Sequence, residues 1–216
     1  MSSFWDERFS SQVFAYGTEP NEFLAAQTSL LHAGMRALAV ADGEGRNGVW
    51  LAQHGLDVLS VDFSLAGLEK AKQLARERNV HLETSNVDLL QWDWPCGIFD
   101  LVATIFIHFA PGNRERMHQS MHQALKPEGI LVLVAFTPRQ LQYGTGGPPQ
   151  LELLYTEEML RSDFADMEIV ESSESVVQLN EGVYHRGPAS VVRLVARKKT
   201  RAVTSSLPSG GGTIQP

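Results

Sequence analysis

Short apolar runs alternate with longer amphipathic stretches along most of this chain. Five of the runs have the Val, Ile, Leu and Ala content typical of buried strands: RALAVA (36–41), DVLSVD (57–62), VHLET (80–84), FDLVATIF (99–106) and GILVLVAF (129–136). Two more strand-like stretches follow, around 167–177 and 189–196. Apolar strands that alternate with helices form a mostly parallel sheet covered on both faces. We therefore expect an α/β protein with a doubly wound, Rossmann-like, mostly parallel seven-stranded sheet.

Helix signals fall between these strands and suggest how the chain is divided. Ser64 is a suitable N-cap for a helix to about Arg78, Pro111 suits the first turn of a helix to about Leu125, and Thr156 suits another N-cap. The length of 216 residues fits one domain with one sizeable core. We predict an N-terminal helical cap over 1–35, a main α/β domain over 36–198, and a disordered Gly/Ser/Pro-rich tail over 199–216.

Charge and cysteine content narrow the possible partners. The net charge is −7, and the longest basic cluster is ARKK near the end, so we expect no nucleic acid and no anionic membrane as partner. A run of about 20 apolar residues, which a membrane span needs, does not occur. Cys96 is the only cysteine, which excludes an internal disulfide and suits a reducing cytoplasm. The predicted partner is a small molecule, and the protein is expected to be a monomer or a dimer.

A glycine-rich loop follows the first predicted strand and opens a helical pattern. It contains Gly43, Gly45 and Gly48 in a G-x-G-x-x-G arrangement, where open α/β sheets bind nucleotide-like ligands. Asp62 ends the second strand 19 positions after Gly43, where a carboxylate can accept hydrogen bonds from ribose hydroxyls. Asp88 follows the third strand and is placed to meet an adenine amino group. These residues suit any adenosine-containing cofactor, nicotinamide dinucleotides included.

Five motifs, in order, resemble class I S-adenosylmethionine-dependent methyltransferases, and among them the tellurite-resistance and thiol-methyltransferase-like group. They are ALAVADGEGRNG, SVDFS, NVDLL, ALKPEGILVLV and YHRGPASVVRLVARK, and FWDERF with YGTEPNEFL resembles the N-terminal cap of that group. The similarity covers about residues 4–198. Two positions depart from the pattern: Ala39 replaces the usual acid of the first strand, and Ala41 replaces the first glycine. Asp42 or Glu44 is expected to take over the acidic role.

The resemblance implies transfer of a methyl group from S-adenosyl-L-methionine to a heteroatom of a small molecule, S, Se or Te, or else N or O. We expect no metal, because there is one cysteine and the pair His118 and His122, four positions apart on one helix face, lacks an evident third ligand. The resemblance also implies a set of cofactor-binding positions, some of which the loop and strand ends already suggest: Ala41, Asp42, Gly43, Gly45, Asp62, Phe63, Asp88, Leu89 and Ile105. For Phe63, stacking beside the adenine and packing in the core are both open.

Candidate acceptor residues lie at three places in the chain. His108 follows the fourth strand, at the edge of the sheet that faces the methyl donor. The resemblance places His185 and Arg186 near the substrate, just before the last strand, and the aromatic N-terminal segment with Tyr16 is a candidate lid. An anionic acceptor suits Arg186, whereas an amine, imidazole or hydroxyl would need His108 or His185 as a base.

Two rival functions remain at this stage. A nicotinamide-dependent oxidoreductase would use Gly43, Gly45 and Asp62, but it leaves Asp88 and the N-terminal segment unexplained. A catalytically silent S-adenosylmethionine-binding module is the second alternative, because Ala39 and Ala41 depart from the methyltransferase pattern.

Overall fold

The computed structural model describes residues 2–200, and the predicted tail from 201 onward lies outside the described residues. The helices are α1 (Ser2–Phe9), α2 (Glu22–Ala26), α3 (Arg46–Gln53), α4 (Leu65–Glu77), α5 (Pro111–Ala124) and α6 (Glu157–Asp163). The strands are β1 (Arg36–Val40), β2 (Asp57–Asp62), β3 (Glu83–Asn86), β4 (Phe99–Ile105), β5 (Leu125–Phe136), β6 (Met167–Glu181) and β7 (His185–Lys198). Within 2–200 no helix is both long and apolar enough to cross a bilayer.

The sheet has seven strands in the order β3-β2-β1-β4-β5-β7-β6. Strands β1 to β5 are mutually parallel, whereas β7 runs antiparallel between β5 and β6. The predicted doubly wound, mostly parallel, seven-stranded sheet is therefore confirmed. The reversal of chain order beside β1 opens a crevice at the carboxyl ends of β1 and β4, where ligands bind in such sheets.

Alternating side chains of the strands supply two separate cores. In β1, Ala37 and Ala39 face the core packed under α3 and α4, while Leu38 and Val40 face the core packed under α5 and α6. This alternation is the two-residue period of a strand, applied to a sheet that is buried on both faces. The helices therefore cover both faces, as the sequence predicts.

The predicted limits of β1, β2 and β4 hold to within one residue, whereas those of β3, β5, β6 and β7 shift. Strand β6 continues to Glu181 and β7 begins at His185, so His185 and Arg186 lie within the last strand and not before it. Ser64 and Thr156 are N-caps, since their hydroxyl oxygens each accept a backbone N–H at 3.1 Å. Strand β3 begins at Glu83 rather than at 80, because Leu82 is buried in the core just before the strand while β3 itself lies at the sheet edge. Strand β5 begins at Leu125, with an irregularity that separates this residue from Ile130 in the pairing with β4.

A carboxylate and a lysine attach the N-terminal segment to α4. The Oδ1 atom of Asp6 accepts hydrogen bonds from the Ser64 hydroxyl at 2.6 Å and from the Ala66 N–H at 3.3 Å, at the positive end of the α4 dipole. The Lys70 ammonium donates to the carbonyls of Ser11 and Val13, both at 2.8 Å. Helix α1 is thereby held across the start of α4, beside the crevice.

Gly45 is required by packing as well as by backbone conformation. Its φ is 86°, and a Cβ there would lie 2.5 Å from the Cβ of Ala71 in α4. The left-handed backbone alone costs a residue with a side chain about 1–2 kcal/mol. Overpacking adds about 1–3 kcal/mol. We expect Gly45→Ala to lower the free energy of unfolding by the sum of these costs, measured by urea denaturation.

Gly34→Ala is the matched control for this measurement. Gly34 has nearly the same φ, 87°, but no atom lies within 4 Å of the position of its Cβ. Only the backbone cost should appear there. Equal losses in the two variants would show that α4 moves aside without cost and that Ala71 does not require Gly45.

Candidate active site

A cavity of about 740 Å³ opens at the carboxyl ends of β1, β2 and β4. The loop after β1, the N-terminal segment and the turn between β6 and β7 complete its walls. Eleven of the thirteen sequence-predicted site residues line it: Tyr16, Ala41, Asp42, Gly43, Asp62, Phe63, Asp88, Leu89, Ile105, His108 and His185. The fold thus brings together residues that are up to 169 positions apart in the sequence.

The Asp62 carboxylate fixes the glycine loop against the end of β2. Its Oδ2 atom accepts the Gly43 N–H at 2.8 Å, and its Oδ1 atom accepts the Ser64 N–H at 2.8 Å. Burial raises the pKa of Asp62, although these backbone hydrogen bonds oppose the rise. A carboxylate has about four lone-pair positions, so each oxygen retains acceptor capacity beyond its backbone bond.

The two acids expected to replace an acid at position 39 are held by different partners. Asp42 accepts the Ser60 hydroxyl at 2.9 Å and the Gly48 N–H at 3.1 Å, and burial raises its pKa to about 7. Glu44 accepts the Ala15 N–H at 2.7 Å and forms an ion pair with Lys70, so it fastens the N-terminal segment. Both acids line the cavity, but each is already bound to the protein.

Phe63 and Asp88 line the cavity beyond the ends of β2 and β3. Phe63 is 39% exposed, which places its ring at the cavity rather than in the core. Asp88 is half-buried, and its carboxylate accepts the Leu90 N–H at 3.0 Å and the Gln91 side-chain amide at 3.1 Å. An aromatic face and a carboxylate beside each other suit a flat base with an amino group.

His108 lines the cavity with both ring nitrogens bound to backbone groups. The Phe136 N–H donates to Nε2 at 3.2 Å, so Nδ1 carries the proton and donates to the Leu153 carbonyl at 2.7 Å. Burial lowers the pKa of His108 to about 4. The imidazole is therefore neutral near pH 7 and joins β4, β5 and the segment at Leu153. As placed here, it has no free lone pair for acceptor chemistry.

His185 also lines the cavity, and aromatic rings surround it. The ring centroids of Tyr16, Phe106 and Phe136 lie 4.5, 4.9 and 5.4 Å from its own. Its Nδ1 atom lies 3.3 Å from Oε2 of Glu181, and burial lowers the pKa of His185. This imidazole is bound through one nitrogen only.

Gly45 and Arg186 do not line the cavity. Gly45 packs against Ala71 and precedes α3, so its role here is to let the loop pass close to α4. The side chain of Arg186 is exposed, and its Nε donates to the Gly182 carbonyl at 2.8 Å. Adjacent residues of a strand point to opposite faces, so with His185 directed inward Arg186 is directed outward.

Arg46, Arg8 and Glu181 are not among the sequence-predicted site residues; the first two line the cavity, and the third binds Arg46. Arg46 lines the cavity directly after the glycine loop, and its Nη2 atom forms an ion pair with Oε2 of Glu181 at 2.8 Å. Arg8 lies 3.8 Å from the ring centroid of Tyr184 and donates to the Tyr16 hydroxyl at 3.4 Å. Arg46 has a sequence signal, its position in GEGRNG, but Arg8 and Glu181 are joined to the site only by tertiary structure.

His118 and His122 lie four positions apart on α5, away from the cavity. His118 is buried, bonds Asp163 of α6 at 2.7 Å and stacks on Phe164. His122 lies one turn further along α5, in a separate surface cleft. Within residues 2–200 no group of three or more His, Cys, Asp or Glu side chains is arranged to hold a metal ion.

Comparison with known proteins shows similarity to methyltransferases. A family profile described as a methyltransferase domain matches residues 37–129. Glycine/sarcosine N-methyltransferase of Halorhodospira halochloris is 35% identical over 106 residues, 45% of this chain and 38% of that protein. Probable thiol methyltransferase 2 of Arabidopsis thaliana is 31% identical over 118 residues, 53% of this chain and 50% of that protein. The chain therefore spans half or less of the length of these curated relatives.

A solved structure resembles nearly the whole chain. TehB from Haemophilus influenzae superimposes with a TM-score of 0.67 at 16% identity, covering 92% of this chain and 67% of TehB. At this identity the similarity establishes the fold alone. The predicted resemblance to methyltransferases is confirmed by the domain match and by this shared fold.

The neutral state of His108 predicts a specific acid sensitivity. In the unfolded chain a histidine gains its proton as the pH falls through about 6.5, whereas in the folded chain His108 stays neutral to about pH 4. Its contribution to stability is therefore complete above pH 6.5 and is lost as the pH falls toward 4. Between about pH 7.5 and pH 5 the wild type should lose about 2 kcal/mol more stability than His108→Gln.

Urea denaturation at the two pH values measures this difference. His81→Gln is the control, because His81 is exposed before β3 and makes no cavity contact. It should keep the pH dependence of the wild type. If His108→Gln shows the same loss on acidification as the wild type, the imidazole is not held neutral by the fold.

Proposed function

We propose that this protein transfers a methyl group from S-adenosyl-L-methionine to a heteroatom of a small molecule, because residues 37–129 match the profile of a methyltransferase domain. One observation carries the proposal: a single cavity holds a carboxylate for a ribose, an aromatic face for a base and a guanidinium for a carboxylate. These groups are Asp62, Phe63 and Arg46. A cavity of about 740 Å³ that also holds the donor leaves room only for a small acceptor.

Arg46 fits the amino-acid part of this donor. It is only 6% exposed, and its Nη1 atom is buried without a hydrogen-bond partner among residues 2–200. A buried donor without a partner costs free energy, and more so when it is charged. A ligand carboxylate would remove this cost, because a guanidinium binds carboxylates through a planar pair of N–H groups.

The glycine-rich loop after β1 is unsuited to binding a dinucleotide. Pyrophosphates bind at the N–H groups that open a helix, here the start of α3. In this protein the Asp42 carboxylate already accepts the Gly48 N–H there, at 3.1 Å. A second anion at this position would meet a buried acid. An S-adenosylmethionine molecule has no phosphates, so the conflict does not arise.

The residues around the reacting groups bind and orient the donor and the acceptor, and they exclude water. The bound sulfonium cofactor supplies an electrophilic methyl group, and holding an acceptor in line with it supplies much of the acceleration. Tyr16 and the rings of Phe106 and Phe136 form the walls where the acceptor would lie. Homologues named as thiol and amine methyltransferases are consistent with sulfur or nitrogen as the acceptor atom. We place the reaction in the cytoplasm, in keeping with the single cysteine.

The direct test follows S-adenosylhomocysteine formation with thiols, chalcogen oxyanions, phenols and azoles as acceptors. We expect turnover with at least one of these classes, together with binding of S-adenosylmethionine by calorimetry and no binding of NAD. Cofactor binding without turnover on any acceptor would favour a silent binding module. Binding of NAD in place of S-adenosylmethionine would contradict the proposal.

Asp62→Asn tests the cofactor site. The amide can still accept one backbone N–H but loses the charge and the symmetric acceptor capacity needed for two ribose hydroxyls. Hydrogen bonds to charged groups are worth about 1.5–3 kcal/mol, so the affinity for S-adenosylmethionine should fall about 10- to 150-fold. Asp57→Asn, at the exposed opposite end of β2, is the control and should leave the affinity unchanged. An unchanged affinity in folded Asp62→Asn would remove Asp62 from the site.

A further inference from the structure

Glu181 and His185 face each other across the turn that joins β6 to β7. They are the terminal pair of the β6–β7 ladder, and the hairpin brings Nδ1 of His185 to 3.3 Å from Oε2 of Glu181. Both side chains are buried, at 7% and 6% exposure. A histidine that is bound to a carboxylate through one nitrogen and open at the other has the arrangement of a general base.

Glu181 is held as an anion by three neighbours. Arg46 pairs with Oε2 at 2.8 Å, and the Asn21 amide donates to Oε1 at 2.8 Å. Burial raises the pKa of Glu181, but the hydrogen bond from His185 and the charge of Arg46 outweigh it and bring the pKa to about 2. An anionic acceptor at Nδ1 means that the neutral ring carries its proton there. The lone pair of the ring is therefore on Nε2.

The surroundings of Nε2 leave it available to a ligand. His185 lines the cavity, and no residue within 2–200 makes a hydrogen bond to Nε2. Gly146 lies beside this atom, and a Cβ there would come within 2.8 Å of it. The absence of a side chain at Gly146 keeps a space open at the nitrogen. His108 is the contrasting case, because the Phe136 N–H occupies its Nε2.

Charged and titratable groups around His185 come from every wall of this end of the cavity. Glu181 and Arg46 lie on the Nδ1 side, and Tyr16 lies against the ring. Besides burial, the charge of Arg8 contributes to the lowered pKa of His185, and the neutral ring of His108 lines the same cavity. Arg46 is paired with Glu181, and Arg8 lies over the Tyr184 ring and bonds Tyr16.

We propose that His185 is the general base of this enzyme and Glu181 its positioning residue, and that the acceptor arrives as a neutral molecule with a proton on the reacting heteroatom. Thiols, azole N–H groups and phenols share this chemistry. The proposal rests on the proposed function. The proton passes from the heteroatom to Nε2 and the freed electron pair bonds the methyl carbon, while the methyl–sulfur bond breaks and sulfur keeps its pair. The imidazolium then releases the proton to water.

The test compares variants across acceptors that differ in acidity. Thiols with pKa values below and above the assay pH are used as probes with wild type, His185→Gln, Glu181→Gln and Glu181→Asp. General-base catalysis contributes about 100- to 10,000-fold, so His185→Gln should lose at least about 100-fold in kcat with thiols that are protonated at the assay pH. The loss should nearly vanish with thiols that are already ionised. Glu181→Gln should show the same trend more weakly, and Glu181→Asp should restore part of it.

Glu171→Gln is the matched control, because Glu171 is an exposed glutamate of the same strand β6. Calorimetry with S-adenosylmethionine shows whether each variant keeps its cofactor site. A merely structural role for His185 would lower kcat equally for all thiols, and this result would overturn the proposal.

Nitrogen NMR of His185 supplies a readout that does not depend on turnover. The proposal requires the Nδ1–H tautomer in the wild type near neutral pH, and a lower imidazole pKa in Glu181→Gln, since the variant loses a neighbouring negative charge. An Nε2–H tautomer in the wild type would overturn it. Turnover with equal rates in wild type and His185→Gln would overturn the base while leaving methyl transfer intact. An absence of turnover with an Nδ1–H tautomer would contradict the proposed function but support the dyad.

Discussion

The ion pair between Arg46 and Glu181 joins the loop after β1 to the β6–β7 hairpin, which form two walls of the cavity. Arg46 is the first residue of α3, directly after the loop that follows β1, and Glu181 ends β6, so the pair connects residues 135 positions apart. Removing one partner of a buried pair leaves an uncompensated charge and costs about 3–5 kcal/mol. The loop and the hairpin are therefore fixed relative to each other. This contact orients the Arg46 guanidinium, whose Nη1 has no hydrogen-bond partner among residues 2–200. It also orients the Glu181 carboxylate, which binds Nδ1 of His185.

Two acids attach the N-terminal segment beside the cavity, and one of them, Glu44, is a cofactor candidate on sequence alone. Glu44 accepts the Ala15 N–H and pairs with Lys70, and Asp6 accepts hydrogen bonds at the start of α4. Phe9 is 4% exposed and lies under Gly43, where a Cβ would come within 3.0 Å of its ring. The glycine loop and the segment therefore fit each other. The approach of Phe9 explains why glycine is needed at 43, and the approach of Ala71 explains why it is needed at 45.

Sequence patterns predict the sheet well because its central strands are buried on both faces. DVLSVD matches β2 residue for residue, since apolar side chains are needed on both sides there. The edge strand β3 has the half-exposed sequence ETSN, so the apolar residues that precede it shift the prediction toward the N-terminus. The residues that line the cavity are predictable for a related reason, because the carboxyl ends of parallel strands meet at one edge.

The part of the cavity around His185 is less predictable, because it depends on how β6 pairs with β7 across a turn. The motif YHRGP shows a histidine beside an arginine, but the alternation of a strand sends one inward and the other outward. Only the register of β6 with β7 reveals that the inward residue faces Glu181 and not a solvated loop. No local pattern in the sequence encodes that register, since the partners are selected by the hairpin.

The two imidazoles of the cavity show how the same side chain acquires different chemistry. His108 receives a backbone N–H at Nε2 and gives its proton to a backbone carbonyl, so both of its nitrogens are committed to holding strands together. His185 donates a hydrogen bond to a carboxylate, and its second nitrogen has no hydrogen-bond partner among residues 2–200. Burial lowers the pKa of both rings, so both are neutral when the site is formed. What separates a structural histidine from a candidate base here is not its pKa but the partner of Nε2.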